Sequence, residues 1–129
     1  MVGASLPQLE DARRGYALRW LNVLLLTTKG RKTGALRTVP LPYFVYDGRT
    51  FIVASFTGLD QNPAWYVNLA EDPEVGVQIG SRRRRCRAVT LGGKERERVW
   101  VLISRDWVRY RAYERGTRRE IPVVELAPA

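Results

Sequence analysis

TTKGRKTGALRTVP, residues 27–40, joins two apolar segments through a turn bracketed by glycines, and its reading decides the architecture of the chain. Upstream, NVLLLTT (22–28) is short, apolar and β-branched at its end, the composition of a buried strand. Downstream, LRTVPLPYFVY (36–46) alternates in character as a strand does, with Pro40 and Pro42 marking an edge or a bulge. Two strands flanking a Gly-rich turn predict a β-hairpin. The turn also concentrates charge: Lys29, Arg31, Lys32 and Arg37 fall within nine positions. Backbone N–H groups at a glycine turn, together with the planar forks of two arginines, can grip a phosphate or carboxylates. A solvated hairpin explains the same residues, and spacing alone leaves both readings open.

The rest of the chain continues the β pattern. Asp47-Gly48 is a two-residue hairpin signal, and RTFIVAS is the returning strand. Asn62-Pro63 predicts a helix start, with Asn62 as cap, and PAWYVNLA gives two turns before Asp72-Pro73. EVGVQIG and SRRRRCRAVTL predict two more strands. Gly92-Gly93 opens a long helix, KERERVWVLISRDWVRYRAYERG, whose apolar face uses Val99, Trp100, Ile103, Trp107 and Tyr110. IPVVELA is the last strand. An N-terminal helix is expected over residues 8–20, where Leu9, Ala12, Tyr16, Ala17 and Trp20 share a face. The expected fold is α+β: a small, mostly antiparallel barrel with helices at its openings, in one domain spanning residues 1–129.

Composition limits the chemistry. The chain has 129 residues, no histidine and one cysteine, Cys86. A Ser-His-Asp triad, a Cys-His pair, a histidine-ligated metal and an internal disulfide are therefore excluded, and any difficult chemistry falls to a cofactor. No apolar run reaches the length needed to span a bilayer, and MVGASLPQLEDARR lacks the apolar centre of a signal peptide. The expectation is a cytoplasmic protein. The net charge of +9 and pI of about 10.4 attract polyanions, or else reflect an arginine-rich composition.

Three further motifs have both a structural and a functional reading. On the short central helix, Leu69 suits a barrel plug. Trp65 and Asn68 put a flat apolar plate and an amide on one helix face, which suits a planar heterocycle and is equally common in cores. RRRRCR (82–87) charges both faces of a strand, so its first half is expected to protrude or lie at an edge, where such charges block aggregation. It contains no aromatic residue, which argues against a stacking platform for nucleic acid. Trp107, Tyr110 and Tyr113 lie three apart, as core packing or as the wall of an apolar pocket.

In this order, LLLTTKGRKTGALRTVPL, FIVAS, NPAWYVNLAEDPEV and YRAYERGTRREIPVVEL resemble the deazaflavin-dependent nitroreductase family, split β-barrel oxidoreductases of FMN-binding-like fold that use coenzyme F-420. The matching stretches run from Val23 to Leu126. The resemblance implies a reductase that transfers hydride to a small quinone-like, nitroaromatic or unsaturated cyclic substrate, with FMN as the alternative cofactor. It implies that Arg31, Lys32 and Arg37 hold the phosphate and acidic tail. Ser55, Trp65 and Asn68 match positions near the deazaflavin ring, and Trp107, Tyr110 and Tyr113 match the substrate side. Tyr110 or Ser55 would supply or relay a proton. Trp107 stands where nitroimidazole-reducing relatives carry tyrosine, and Lys29 where threonine is usual, adding a cation near the tail. Monomer or homodimer, and peripheral membrane contact through helix 8–20, are left open; no nucleic-acid partner is expected.

Overall fold

The computed structural model describes residues 22–55 and 59–129; the helix expected over 8–20 lies outside them. Six strands close a fully antiparallel barrel. They are β1 (Asn22–Lys29), β2 (Leu36–Tyr46), β3 (Arg49–Val53), β4 (Glu74–Ile79), β5 (Arg82–Thr90) and β6 (Val123–Pro128), arranged in the order β1-β2-β3-β6-β5-β4. Among the described residues there are three helices: α1 (Ala64–Glu71), α2 (Gly93–Asp106) and α3 (Arg109–Arg115).

The predicted hairpins form. In β1–β2, Thr28 lies opposite Arg37 and Lys29 opposite Leu36. Asp47 and Gly48 both have positive φ, 54° and 72°, the backbone a type I′ turn requires and that glycine supplies without strain.

Alternation then sorts the side chains. Leu24 and Leu26 of β1, Val75 and Val77 of β4, Cys86 and Ala88 of β5, and Val124 and Leu126 of β6 fill the barrel with Ile52 of β3. Leu69 of α1 plugs this core at one opening, with Trp65 and Tyr66 packed against it.

A second core lies on the other side of the β3–β6 wall. Phe51 and Val53 flank Ile52, and Val123 precedes Val124; these outward residues are buried with Phe44, Val99, Trp100, Ile103 and Tyr110. Helices α2 and α3 therefore cover the outer wall of the barrel rather than an opening, contrary to the sequence expectation. The physical reason is that β3 and the start of β6 are apolar on both faces, and each apolar face needs a cover.

The long helix is real, but it stops at Asp106 instead of running through Tyr113. Trp107 leaves the helical conformation (φ −133°, ψ 83°), its N–H donating to the Ile103 carbonyl, and α3 begins two residues later. An aspartate disfavours a helix C-terminus through the macrodipole. Here the Asp106 carboxylate accepts a hydrogen bond from the Tyr46 hydroxyl at 2.8 Å. Trp107 packs edge-on against Phe44, with ring centroids 6.0 Å apart.

The arginine strand follows its expectation. Arg82 to Arg87 pair with β4, but pairing with β6 begins only at Cys86. The stretch Arg82–Arg84 thus has an open side, blunted by charge. None of the described helices is long and apolar enough to cross a membrane.

Candidate functional site

The 27–40 turn folds on itself before it meets anything else. The Gly30 N–H donates to the Ala35 carbonyl at 2.7 Å, and Gly34 N–H to the Gly30 carbonyl at 2.8 Å. The Ala35 N–H is taken by the Thr33 hydroxyl at 3.1 Å. Gly34 has φ +76°, where a side chain would be strained. The result is a closed, rigid loop whose long cationic side chains are all exposed.

A buried polar link joins this loop to α1. The Asn68 side-chain carbonyl accepts from the Arg31 N–H at 3.3 Å, and its NH₂ donates to the Thr28 hydroxyl at 3.2 Å. Both side chains are buried, Asn68 at 6% exposed and Thr28 at 1%. Buried polar atoms are costly unless paired, so each partner fixes the other. Asn68 therefore acts as a strut between turn and helix. Thr28 did not stand out in the sequence; its only signal is its inward parity with Leu24 and Leu26.

Between the turn and α1 opens a cavity of about 390 Å³. Arg31, Lys32 and Arg37 border it on one side, and Trp65 and Asn68 on the other, with Val39 beneath. The cavity brings together five of the residues singled out from sequence. No carboxylate belongs to its described lining, and among the described residues none of the three cations pairs with one. Lys29 departs from the expectation. It alternates to the opposite face of β1 and sits 3.8 Å from Asp72, so it adds no charge to the cavity. Asn62 does not cap α1 either: the N-cap is Pro63, without a side-chain bond. Its side-chain carbonyl instead accepts from Arg119 at 2.8 Å, a charge-assisted bond stronger than a neutral cap.

The remaining residues lie elsewhere. Ser55, two residues beyond β3, is half-buried, and its carbonyl accepts from Arg119 at 2.7 Å. Tyr110 sits in the outer core at 6% exposed. Its ring is enclosed edge-on or tilted by Phe44 (5.8 Å), Trp100 (6.2 Å) and Tyr113 (5.7 Å). Burial pushes its phenol up to about 12, so it stays protonated at neutral pH. Trp107 and Tyr113 are half-buried beside it. None of these four lines the cavity. Among the described residues no cluster could hold a metal ion.

Thr28→Val tests the strut, because it keeps the shape and strands the Asn68 amide. A loss of about 1–3 kcal/mol is expected in denaturant unfolding, with a looser turn. Unchanged stability would mean that water replaces the threonine at no cost.

Known proteins resemble this chain in sequence and in fold. A family model described as F420H(2)-dependent quinone reductase matches residues 4–128. A protein of Mycobacterium tuberculosis (strain ATCC 25618 / H37Rv) named F420H(2)-dependent quinone reductase Rv1261c is 37% identical over 107 residues, which cover 80% of this chain and 71% of that protein. A solved structure described as the F420-H2 dependent reductase FDR-A is 37% identical, with a TM-score of 0.73, covering 81% of this chain and 93% of that one. Another, described as a domain-swapped dimer, is 34% identical with a TM-score of 0.73, covering 92% of this chain and 93% of that one.

Proposed function

Because the chain belongs to the F420H(2)-dependent quinone reductase family, we propose that it reduces a small, flat, quinone-like acceptor with coenzyme F-420 as the hydride source. The observation that carries the reading is the charge arrangement of the cavity. Three cations face a tryptophan plate across about 390 Å³, with no carboxylate in the described lining. A group with an anionic tail and a flat ring fits that donor set; a purely apolar or cationic ligand does not. Nitroaromatic and unsaturated cyclic compounds share the flatness and electron deficiency of quinones and belong to the same substrate class.

When bound, the reduced deazaflavin supplies hydride; the protein supplies position and a dry site. Arg31, Lys32 and Arg37 hold the phosphate and the acidic tail, the arginines as forks and the lysine as a point charge. Trp65 gives the ring an apolar face. Asn68 holds the turn and the plate at a fixed distance from one another. We assign Ser55 to the ring and Trp107, Tyr110 and Tyr113 to the acceptor side, where the bound pair would extend beyond the cavity that none of the four lines. The phenol of Tyr110, protonated at neutral pH, donates a hydrogen bond to the acceptor oxygen and orients it. The proton that completes reduction comes from Tyr110 or Ser55, as donor or relay, or from solvent. Assembly as a homodimer belongs to the same proposal, supported by the 34%-identical neighbour described as a dimer; light scattering tests it.

Cofactor choice tests the function. FMN carries one phosphate, whereas the deazaflavin tail adds carboxylates that reach further cations. Titration at moderate salt is expected to show tighter binding of the deazaflavin, by ten- to a hundredfold or so for each additional charge-assisted contact. Equal affinities would remove the basis for the assignment.

A further inference from the structure

Three parts of the proposed site are not united by the cavity: Ser55 just beyond β3, Trp65 and Asn68 on α1, and Tyr110 with Tyr113 on α3. One side chain bonds beside the first and ahead of the second, and follows the third in the chain. Arg119 lies on the connection between α3 and β6, just beyond the helix that carries Tyr110. Its guanidinium donates from Nη2 to the Ser55 carbonyl at 2.7 Å and from Nη1 to the Ala54 carbonyl at 3.0 Å. Nη1 also reaches the Asn62 side-chain carbonyl at 2.8 Å, and Nε the Leu59 carbonyl at 2.8 Å. Neighbouring bonds reinforce the junction: the Thr117 hydroxyl donates to the Asp60 carboxylate at 2.7 Å, and the Arg118 N–H does so at 3.0 Å.

We propose that Arg119 is the positioning residue of this enzyme, fixing Ser55, the start of α1 and the end of α3 in one geometry. The inference rests on the function proposed above. Three observations support it. First, α1 has no side-chain cap of its own, so the place where it starts is set from outside, through Asn62. Second, Ala54 and Ser55 follow β3 without belonging to it. The Ala54 N–H donates to the Pro122 carbonyl at 3.0 Å, and the carbonyls of both residues are held by Arg119. Third, four acceptors around one planar group match the fixed fork of arginine, which the three rotating donors of lysine on a flexible stem cannot reproduce. Arg119 touches none of the cavity lining, so it acts through the residues it holds. Hydride transfer is sensitive to the separation of donor and acceptor, and a misplacement of about 1 Å can cost a hundredfold.

The test compares wild type, Arg119→Ala and Arg119→Lys. In the cofactor-free protein, amide exchange over residues 59–68 is expected to quicken by about ten- to a hundredfold in Arg119→Ala. Deazaflavin affinity, set mainly by the turn, is expected to change less than about threefold. Single-turnover oxidation of the bound reduced cofactor by a quinone is expected to slow by ten- to a hundredfold or so. Guanidinium chloride at tens of millimolar, but not sodium chloride at the same ionic strength, should restore part of the rate in Arg119→Ala. Arg119→Lys should remain slow. Unchanged exchange or an unchanged rate overturns the proposal. So does a slow rate that guanidinium does not lift and that tracks a fall in melting temperature, since that marks a purely structural residue. Failure of the wild type to bind deazaflavin overturns the proposed function instead, and is recognised without any Arg119 variant.

Discussion

Lys32→Ala combined with Arg37→Ala is expected to weaken deazaflavin binding by about 10²- to 10⁴-fold. Each charge-assisted bond contributes on the order of ten- to a hundredfold, and the two side chains reach the cavity from different parts of the hairpin. Lys32 is in the turn, and Arg37 is on β2 opposite Thr28. Their contributions therefore add to a first approximation. Both side chains are exposed, and among the described residues neither pairs with a carboxylate, so the melting temperature should move by no more than a degree or two. The single variants should each lose about half of the effect on a logarithmic scale. Affinity in the wild type should also fall with salt more steeply than in the double variant, because fewer ionic contacts remain to be screened. Isothermal titration, or the fluorescence change of the cofactor, measures all of this. A double variant that binds as well as wild type but melts far lower would make the turn a structural hairpin and nothing more.

Tyr110 separates packing from chemistry. Tyr110→Phe keeps the ring among Phe44, Trp100 and Tyr113 and removes only the hydroxyl. Stability should change by less than about 1 kcal/mol, and cofactor affinity should hold, because the turn is remote. If the hydroxyl orients the acceptor, single-turnover reduction of a quinone should slow by about ten- to a thousandfold. An unchanged rate would leave Tyr110 as a packing residue. Tyr110→Ala has a different outcome, since it opens a void in the outer core. A loss of about 3–5 kcal/mol is expected, lowering the melting temperature by something like 10–20 °C. The pH dependence follows from the raised phenol. Its folded pKa of about 12 exceeds the ordinary value near 10, so the folded state keeps the proton longer than the unfolded state. The stability linked to Tyr110 is whole below about pH 10 and declines as pH rises toward 12. The reduction rate should show no step from this group between about pH 6 and 9.

The barrel was legible from the chain because its strands obey simple rules. Asp47-Gly48 and the GRKTG turn announce their hairpins, NVLLLTT reads as a buried strand, and Val75, Val77 and Ile79 alternate as a half-buried wall must. The outer layer was misjudged, although its sign was present. RTFIVAS and IPVV lack alternation, and a strand apolar on both faces needs cover on both. The helix break was hidden. Ile103, Trp107 and Tyr110 keep a helical period, and neither glycine nor proline interrupts SRDWVRY. The break rests on contacts between distant residues, Tyr46 with Asp106 and Phe44 with Trp107. The same holds for the site. Arg31, Lys32, Arg37, Trp65 and Asn68 stood out because type and spacing carry chemistry. Arg119 sits in TRRE, which reads as an ordinary solvated loop. Its four acceptors come from segments more than fifty residues earlier in the chain, and no local pattern records them.

The place of β6 in the sheet has a consequence for how the molecule is made. It lies between β3 and β5, pairing Phe51 with Glu125 and Ala88 with Leu126. Its partner β3 is formed early in the sequence, and β6 comes after both covering helices. Until β6 docks, β3 and β5 each carry a row of open backbone donors and acceptors, and the inner and outer cores lack a common wall. Closing so distant a contact is entropically costly and slow, and open apolar edges recruit other chains. Aggregation during synthesis or refolding should therefore be decided by how quickly Val123–Pro128 finds its slot. In the meantime the arginines at the start of β5, open on the side away from β4, keep at least one of those edges in water.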